Sequence, residues 1–142
     1  MPWKIWESHT YVGQGRLVEA EKFLLHVVDI RNTTLGPKHH DTTLAMSNLA
    51  DSYFNQKKWD EAMKLYFDVF EARKVKLGQN HPMTLDSMGM LGSAYIYCGR
   101  VNEGQSLLSK AAILLEKTIG PEHPITTTFW QRKESLAYIY VP

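Results

Sequence analysis

Leu77-Gly78-Gln79-Asn80-His81-Pro82-Met83-Thr84 is the middle one of three copies of a short pattern. Leu35-Gly36-Pro37-Lys38-His39-His40-Asp41-Thr42 precedes it, and Ile119-Gly120-Pro121-Glu122-His123-Pro124-Ile125-Thr126 follows it. The glycines, the histidines and the threonines each recur at intervals of 42 residues. A period of roughly 20 to 50 residues marks a stacked repeat array. Each Gly follows a long amphipathic run and suits a left-handed residue that ends a helix. Pro82 and Pro124 suit the first turn of the next helix, with Thr84 and Thr126 close behind as candidate caps. The first copy has His40 where the others have Pro, which leaves its helix start less sharply defined.

Between these marks the apolar residues fall at three- and four-residue spacings, the period of a helix buried on one face. Ala20, Phe23, Leu24, Val27, Val28 and Ile30 form one such stripe, and Leu44, Ala45, Met46, Leu49, Ala50 and Tyr53 the next. Ala62, Leu65, Tyr66, Val69 and Ala72 follow after the polar turn Asn55-Gln56-Lys57-Lys58. Asp60 and Glu61 open that helix, and Arg73, Lys74 and Lys76 close it, a charge order that complements the helix dipole. Thr84 to Cys98 and Asn102 to Ile119 repeat the two helix types, with Gly99-Arg100 as the turn between them. Gly89 and Gly92 each cost a helix about 1 kcal/mol against Ala, so Gly92, the counterpart of Ala50, is read as a point of close helix approach.

The two ends fit the period less well. Tyr11 lies 42 residues before Tyr53, so the chain opens inside a repeat, and Trp3, Ile5 and Trp6 read as the remnant of a shortened helix or a cap. Gly13-Gln14-Gly15 reads as a turn between helices. In the last segment Leu136, Ala137 and Tyr140 slip register by three residues. Phe129, Trp130, Leu136, Tyr138 and Ile139 are then expected to be partly uncovered, as in a terminal repeat.

The length of 142 residues suits one domain. It divides into a partial repeat (1–40), two full repeats (41–82 and 83–124) and a degenerate or capping helix (125–142). A net charge of +1, from 16 basic and 15 acidic residues, supplies no field for nucleic acid or an anionic membrane. No apolar run approaches the roughly 18 residues of a membrane span. Cys98 is the only cysteine, which excludes an intrachain disulfide and points to a reducing, cytoplasmic compartment. Asn32-Thr33-Thr34 fits a glycosylation acceptor, but no secretory signal precedes it, so it carries little weight.

Catalytic and metal chemistry find little support. His39, His81 and His123 stand a full repeat apart, too far for a shared ion, and read as structural linkers. Cys98 sits beside Gly99 and Arg100 without a nearby His in the sequence, and reads as a packing or surface thiol. No enzyme activity and no cofactor are expected.

Leu49-Ala50, Tyr53, Ala62, Tyr66 and Val69, matched by Leu91-Gly92, Tyr95, Gly104, Leu108 and Ala111, resemble the tetratricopeptide repeat. The 42-residue period and the Leu-Gly-x-x-His-Pro link are similar to the long form of kinesin light chains and of NACHT-type signalling ATPases. Ser47-Asn48-Leu49-Ala50 resembles the Asn-Asn-Leu-Ala of kinesin light chain repeats. No Gly-x4-Gly-Lys-Ser/Thr motif of the ATPases occurs.

The resemblance implies an all-α, right-handed superhelical solenoid of about seven helices, stacked as antiparallel pairs. It also implies a non-enzymatic scaffold that binds a peptide or helical segment of a partner protein. The first helix of each pair would line the concave face. Ser47, Asn48, Asp51, Phe54 and Asn55 would then face the groove, followed by Gly89, Met90, Ser93, Ile96 and Tyr97. Trp6 and His9 hold the matching places in the first unit. Asn48, implied to bond a bound peptide's backbone, is the sharpest of these. Thr42 to Gln56 and Thr84 to Cys98 contain no Lys or Arg, so the expected partner segment is neutral, apolar or mildly basic. The alternative is an assembly module that dimerises, or continues a longer array, through its terminal helices.

Overall fold

A computed structural model describes the backbone of residues 5–139 and the side chains of residues 16–134. Six helices follow in order: α1 (Ile5–Leu35), α2 (His40–Asn55), α3 (Trp59–Leu77), α4 (Pro82–Tyr97), α5 (Val101–Ile119) and α6 (Pro124–Ile139). Each packs on its neighbour in sequence, and α4 also meets α6, which follows it by one repeat. The product is an all-α stack of antiparallel pairs with the right-handed superhelical arrangement of its repeat class.

The repeated link works differently from the sequence expectation. His39, His81 and His123 are the caps: each Nδ1 accepts the backbone N–H two residues on, from Asp41 (3.1 Å), Met83 (3.1 Å) and Ile125 (3.2 Å). The first copy caps as the others do, so Pro is not what fixes the helix start. Thr42, Thr84 and Thr126 do not cap; all three are fully buried. The Thr42 hydroxyl donates to the Arg31 carbonyl of the preceding helix at 3.2 Å. Gly78 (φ 100°, ψ 161°) and Gly120 (φ 95°, ψ 155°) end their helices extended rather than left-handed helical. That region is open only to glycine.

The count is six because α1 does not break at Gly13-Gln14-Gly15. Two interior glycines cost a helix about 1 kcal/mol each, and α1 keeps its backbone ladder through them. As a result, no described helix covers one flank of α1. Phe23 is 66% exposed and Ile30 46% exposed, although the periodicity places both in a packed stripe.

Beyond α1 the core is continuous. Ala50, Ala62, Tyr66, Leu91 and Ala94 form one buried cluster, and Leu85, Met88, Ile96, Leu108 and Phe129 belong to the next. Gly92 and Gly104 mark the close crossing of α4 and α5: a Cβ on Gly104 would lie 2.4 Å from the Gly92 carbonyl oxygen. Gly89 makes room for α6, since a Cβ there would lie 1.8 Å from the Phe129 ring. Phe129 is therefore buried rather than partly uncovered, and offers nothing to a dimer. Trp130 is half-buried and donates its Nε1–H to Glu116 Oε1 at 2.9 Å. Leu136, Tyr138 and Ile139 lie outside the described side chains.

Candidate functional site

A hollow of about 400 Å³ opens between the first helices of successive pairs. Asp51, Phe54 and Asn55 line it from α2, and Met90, Ser93 and Tyr97 from α4. Tyr66 reaches it from α3 and Arg132 from α6. Helical spacing explains the grouping: residues three and four apart, such as Asp51, Phe54 and Asn55, share a face.

Six residues expected on the groove are thus brought together. Ser47 and Asn48 lie about a turn away on α2 and do not line the hollow; Asn48 is solvent-exposed. Ile96 is fully buried instead, because Gly104 leaves it room: a Cβ on Gly104 would lie 2.5 Å from Ile96 Cγ1. Gly89 faces Phe129, not the groove. Trp6 and His9 lie outside the described side chains.

Phe54 stands edge-on to Trp59 (4.9 Å between ring centroids) and to Tyr97 (5.1 Å), and Trp59 stacks on Tyr97 at 4.8 Å. Three mutually braced rings make a rigid corner, with apolar area presented at little further entropy cost. At the other side Arg132 Nη1 lies 3.2 Å from Met90 Sδ, and its guanidinium sits 5.2 Å from the centre of the Phe129 ring. Arg132 also borders a smaller hollow of about 190 Å³ that contains Asp86, Ile125 and Thr128.

Sequence reasoning misses Tyr66 and Arg132. The apolar pattern assigns Tyr66 to the buried stripe of α3, and it is indeed buried; its hydroxyl nonetheless borders the hollow and donates a hydrogen bond to Asp51 Oδ1. Arg132 is legible through the period, since it follows Met90 by 42 residues as Met90 follows Asn48. The slipped register at Leu136 and Ala137 hides that match.

The electrostatics are those of a partly dry, charge-balanced wall. Burial pushes the Asp51 carboxyl up, and the Tyr66 hydrogen bond, Arg132 and Arg73 oppose the shift. Asp86 is likewise raised by burial against Arg132 and Arg73. Burial and the Asp51 carboxylate push the Tyr66 hydroxyl well above its ordinary range. Arg73, read from sequence as a charge serving the dipole at the end of α3, is in fact buried. Its Nη1 donates to Ser87 Oγ at 2.6 Å and to the Met83 carbonyl at 3.4 Å. The cation-poor wall expected from α2 and α4 is thus corrected by α3 and α6, which bring one guanidinium each toward the two carboxylates.

Elsewhere the chemistry is quiet. Burial, then Asp60, pushes the Cys98 thiol up, the reverse of an activated nucleophile; its S–H points to Asp60 Oδ1 at 3.7 Å. Among the described residues no three His, Cys, Asp or Glu side chains gather to hold a metal ion.

Tetratricopeptide repeat models match residues 8–74 and residues 84–125, together most of the chain. The chain belongs to the tetratricopeptide repeat family. Two crystal structures of Podosopora anserina proteins, described as kinesin light chain nearly identical TPR-like repeats, are similar to it; one carries a single substitution. They share 28% and 27% identity with this chain over 92% and 96% of its length, each with a TM-score of 0.79. The chain spans 61% and 67% of those two structures. Comparison with curated proteins gives no match. The repeats are accordingly of the kinesin light chain type. Tetratricopeptide repeats generally mediate contacts between proteins, and arrays of this type are typically non-catalytic scaffolds.

Proposed function

We propose that the chain is a non-enzymatic protein-interaction module that takes an extended or helical segment of a partner protein in the hollow between α2, α4 and α6. The observation that supports this best is the lining itself. Side chains from three successive repeats, with an aromatic corner, an amide, a carboxylate and a guanidinium, converge on about 400 Å³ of open space. That mixture suits a polypeptide, whose backbone needs donors and acceptors while its side chains need apolar cover. Asn55 both donates and accepts and is placed to bond a partner backbone. Tyr97 and Phe54 would shelter an apolar side chain.

A neutral, apolar or mildly basic segment fits the charge balance best. An acidic one meets Arg132, but also Asp51 and, next door, Asp86. No described helix is long and apolar enough to cross a membrane. A cytoplasmic setting suits the free thiol of Cys98.

The test is retention of a native partner by the wild type beside Asn55→Ala and Tyr97→Ala, each first shown to be folded by its helical signal. Loss of the partner with both variants is the expected result. A partner held equally by all three proteins would move the binding surface elsewhere.

A further inference from the structure

The smaller hollow between α4 and α6 differs in kind from the aromatic-cornered one beside it. Pro124, Ile125 and the Phe129 ring supply apolar wall, and two charged groups face the space, the Asp86 carboxylate from α4 and the Arg132 guanidinium from α6. Both residues are half-buried. They attract each other through space but form no ion pair, and the carboxylate takes no hydrogen bond from any described residue. A guanidinium carries five N–H donors, and among the described residues Arg132 uses one, on the weak thioether acceptor of Met90 at 3.2 Å. The Thr128 hydroxyl is already engaged with the Pro124 carbonyl at 2.7 Å. The hollow therefore offers an acceptor on one helix and a donor on the next, each short of a partner.

These two groups restrict what can fill the space. An apolar side chain would strip water from both and satisfy neither. A partner's Lys or Arg would meet Asp86, but close to Arg132 and Arg73, the two cations that already favour that carboxylate. A Glu or Asp would meet Arg132, but against Asp86 and the nearby Asp51. A neutral group that donates and accepts at once suits both sides. A primary carboxamide does this, with its oxygen toward Arg132 and one N–H toward Asp86, each bond assisted by charge. A single peptide unit does it less well, because its C=O and N–H point in opposite directions across the trans bond. A space of about 190 Å³ also leaves room for the methylenes of a side chain along Ile125 and Phe129.

We infer that this hollow is a subsite for the side-chain carboxamide of a partner glutamine, held between Asp86 and Arg132 with its methylenes covered by Ile125 and Phe129. The inference rests on the reading of the chain as a protein-interaction module and specifies one residue of the bound segment.

The experiment titrates the full chain with capped tripeptides, acetyl-Ala-X-Ala-N-methylamide, in which X is Gln, Glu, Lys or Ala. The Ile125 methyl and Thr128 amide signals are followed by NMR. Neither cap is a primary carboxamide, so the Ala peptide reports what backbone amides achieve alone. The Gln peptide should bind about tenfold or more tighter than each of the other three. Asp86→Asn should reverse the order of the Gln and Glu peptides, since a carboxylate then meets donors on both sides. Arg132→Met should reverse the order of the Gln and Lys peptides. Each variant gains one ligand as it loses another, which a damaged fold cannot imitate. No binding at these signals, equal binding of all four peptides, or a Gln preference that survives both substitutions would each overturn the inference. The assay needs no native partner, so the two readings fail separately. A failed Gln preference beside a partner still lost with Asn55→Ala and Tyr97→Ala would remove the subsite and keep the module. A partner held equally by those variants beside a clear Gln preference would remove only the role of the larger hollow.

Discussion

Replacing Gly89 by Ala tests how α6 is seated, and with it one wall of the hollow. The new Cβ would lie 1.8 Å from Phe129 Cε1 and 2.3 Å from Cζ, against ordinary contact at 3.4–4 Å. The ring must therefore retreat by roughly 1.5 Å or more. Phe129 is 1% exposed and sits among Leu85, Met88, Leu108 and Ala112, so its room to turn is limited to the small hollow it borders with Asp86 and Arg132. Forcing a methyl into such a core costs about 1–3 kcal/mol, and expelling the ring forfeits about 1.5–3 kcal/mol of burial. The gain in helix propensity returns about 1 kcal/mol. The net reaches about 2 kcal/mol against docked α6, or up to a roughly 30-fold rise in its undocked population. Hydrogen exchange should show faster opening of α6 amides, with α2 and α3 unchanged. Phe129→Leu should partly rescue the loss, giving a coupling of about 0.5–3 kcal/mol in the double-mutant cycle. Because Arg132 travels with α6, partner affinity should fall together with docking. Unchanged exchange in α6, or no rescue by Phe129→Leu, would refute this account of Gly89.

Three further outcomes follow from the same geometry. Tyr66→Phe removes the donor to Asp51 and leaves a partly buried carboxylate short of a partner, so denaturant melts should show a loss of about 1–3 kcal/mol; Asp51→Asn in that background should recover part of it. The folded Asp86 carboxyl is raised above its ordinary value of 3.8, so the stability linked to its protonated form is present below that value and is lost as pH rises through the raised one. Asp86→Asn should accordingly gain on the wild type in thermal melts as pH climbs from about 3.8 toward neutrality, and a gap that widened toward acid instead would contradict the burial argument. His81→Ala removes the acceptor for the Met83 N–H and should cost about 1 kcal/mol, as lost N-caps do; His81→Asn should keep most of that stability, and a silent His81→Ala would show that the cap is idle.

What the sequence makes legible follows from how strictly each position is constrained. The 42-residue rhythm is readable because helix ends and close crossings admit few residues: Gly78 and Gly120 occupy a backbone region closed to other types, and Gly92 and Gly104 have no room for a methyl. Groove positions on α2 and α4 are readable because helical spacing places Asp51 with Asn55, and Ser93 with Tyr97, on one face. Tyr66 escapes because it is two things at once, a buried ring and a hydroxyl bonded to Asp51 at the edge of the hollow, and hydropathy registers only the first. Arg73 escapes because a basic residue near a helix end fits a dipole argument equally well whether it is solvated or buried. The histidine caps escape because Ser, Thr, Asp and Asn dominate that role, which draws attention to the threonines three residues on. In α1 the repeat register marks a turn at Gly15 and the glycines themselves disfavour a helix there, yet α1 runs straight through, since no described tertiary contact holds a turn at that point.

The period also explains how such a stack can acquire a specific site without losing its fold. Along the packing columns, chemistry barely changes from one repeat to the next: Ala50 becomes Gly92, and Ala62 becomes Gly104, because the backbones approach too closely for anything larger. Along the groove columns it changes freely: Asn48 becomes Met90 and then Arg132, Asp51 becomes Ser93, and Asn55 becomes Tyr97. A substitution in the first set is opposed by about 1–3 kcal/mol of overpacking, whereas one at an exposed groove residue such as Asn55 stays within about 0.5 kcal/mol. Selection on partner choice can therefore act on the groove residues almost independently of stability. The exceptions are residues that belong to both sets, Tyr66 and Arg132. Each ties the hollow to the core, Tyr66 through its buried ring and Arg132 through the helix that Phe129 anchors, so changes at these two should alter binding and stability together.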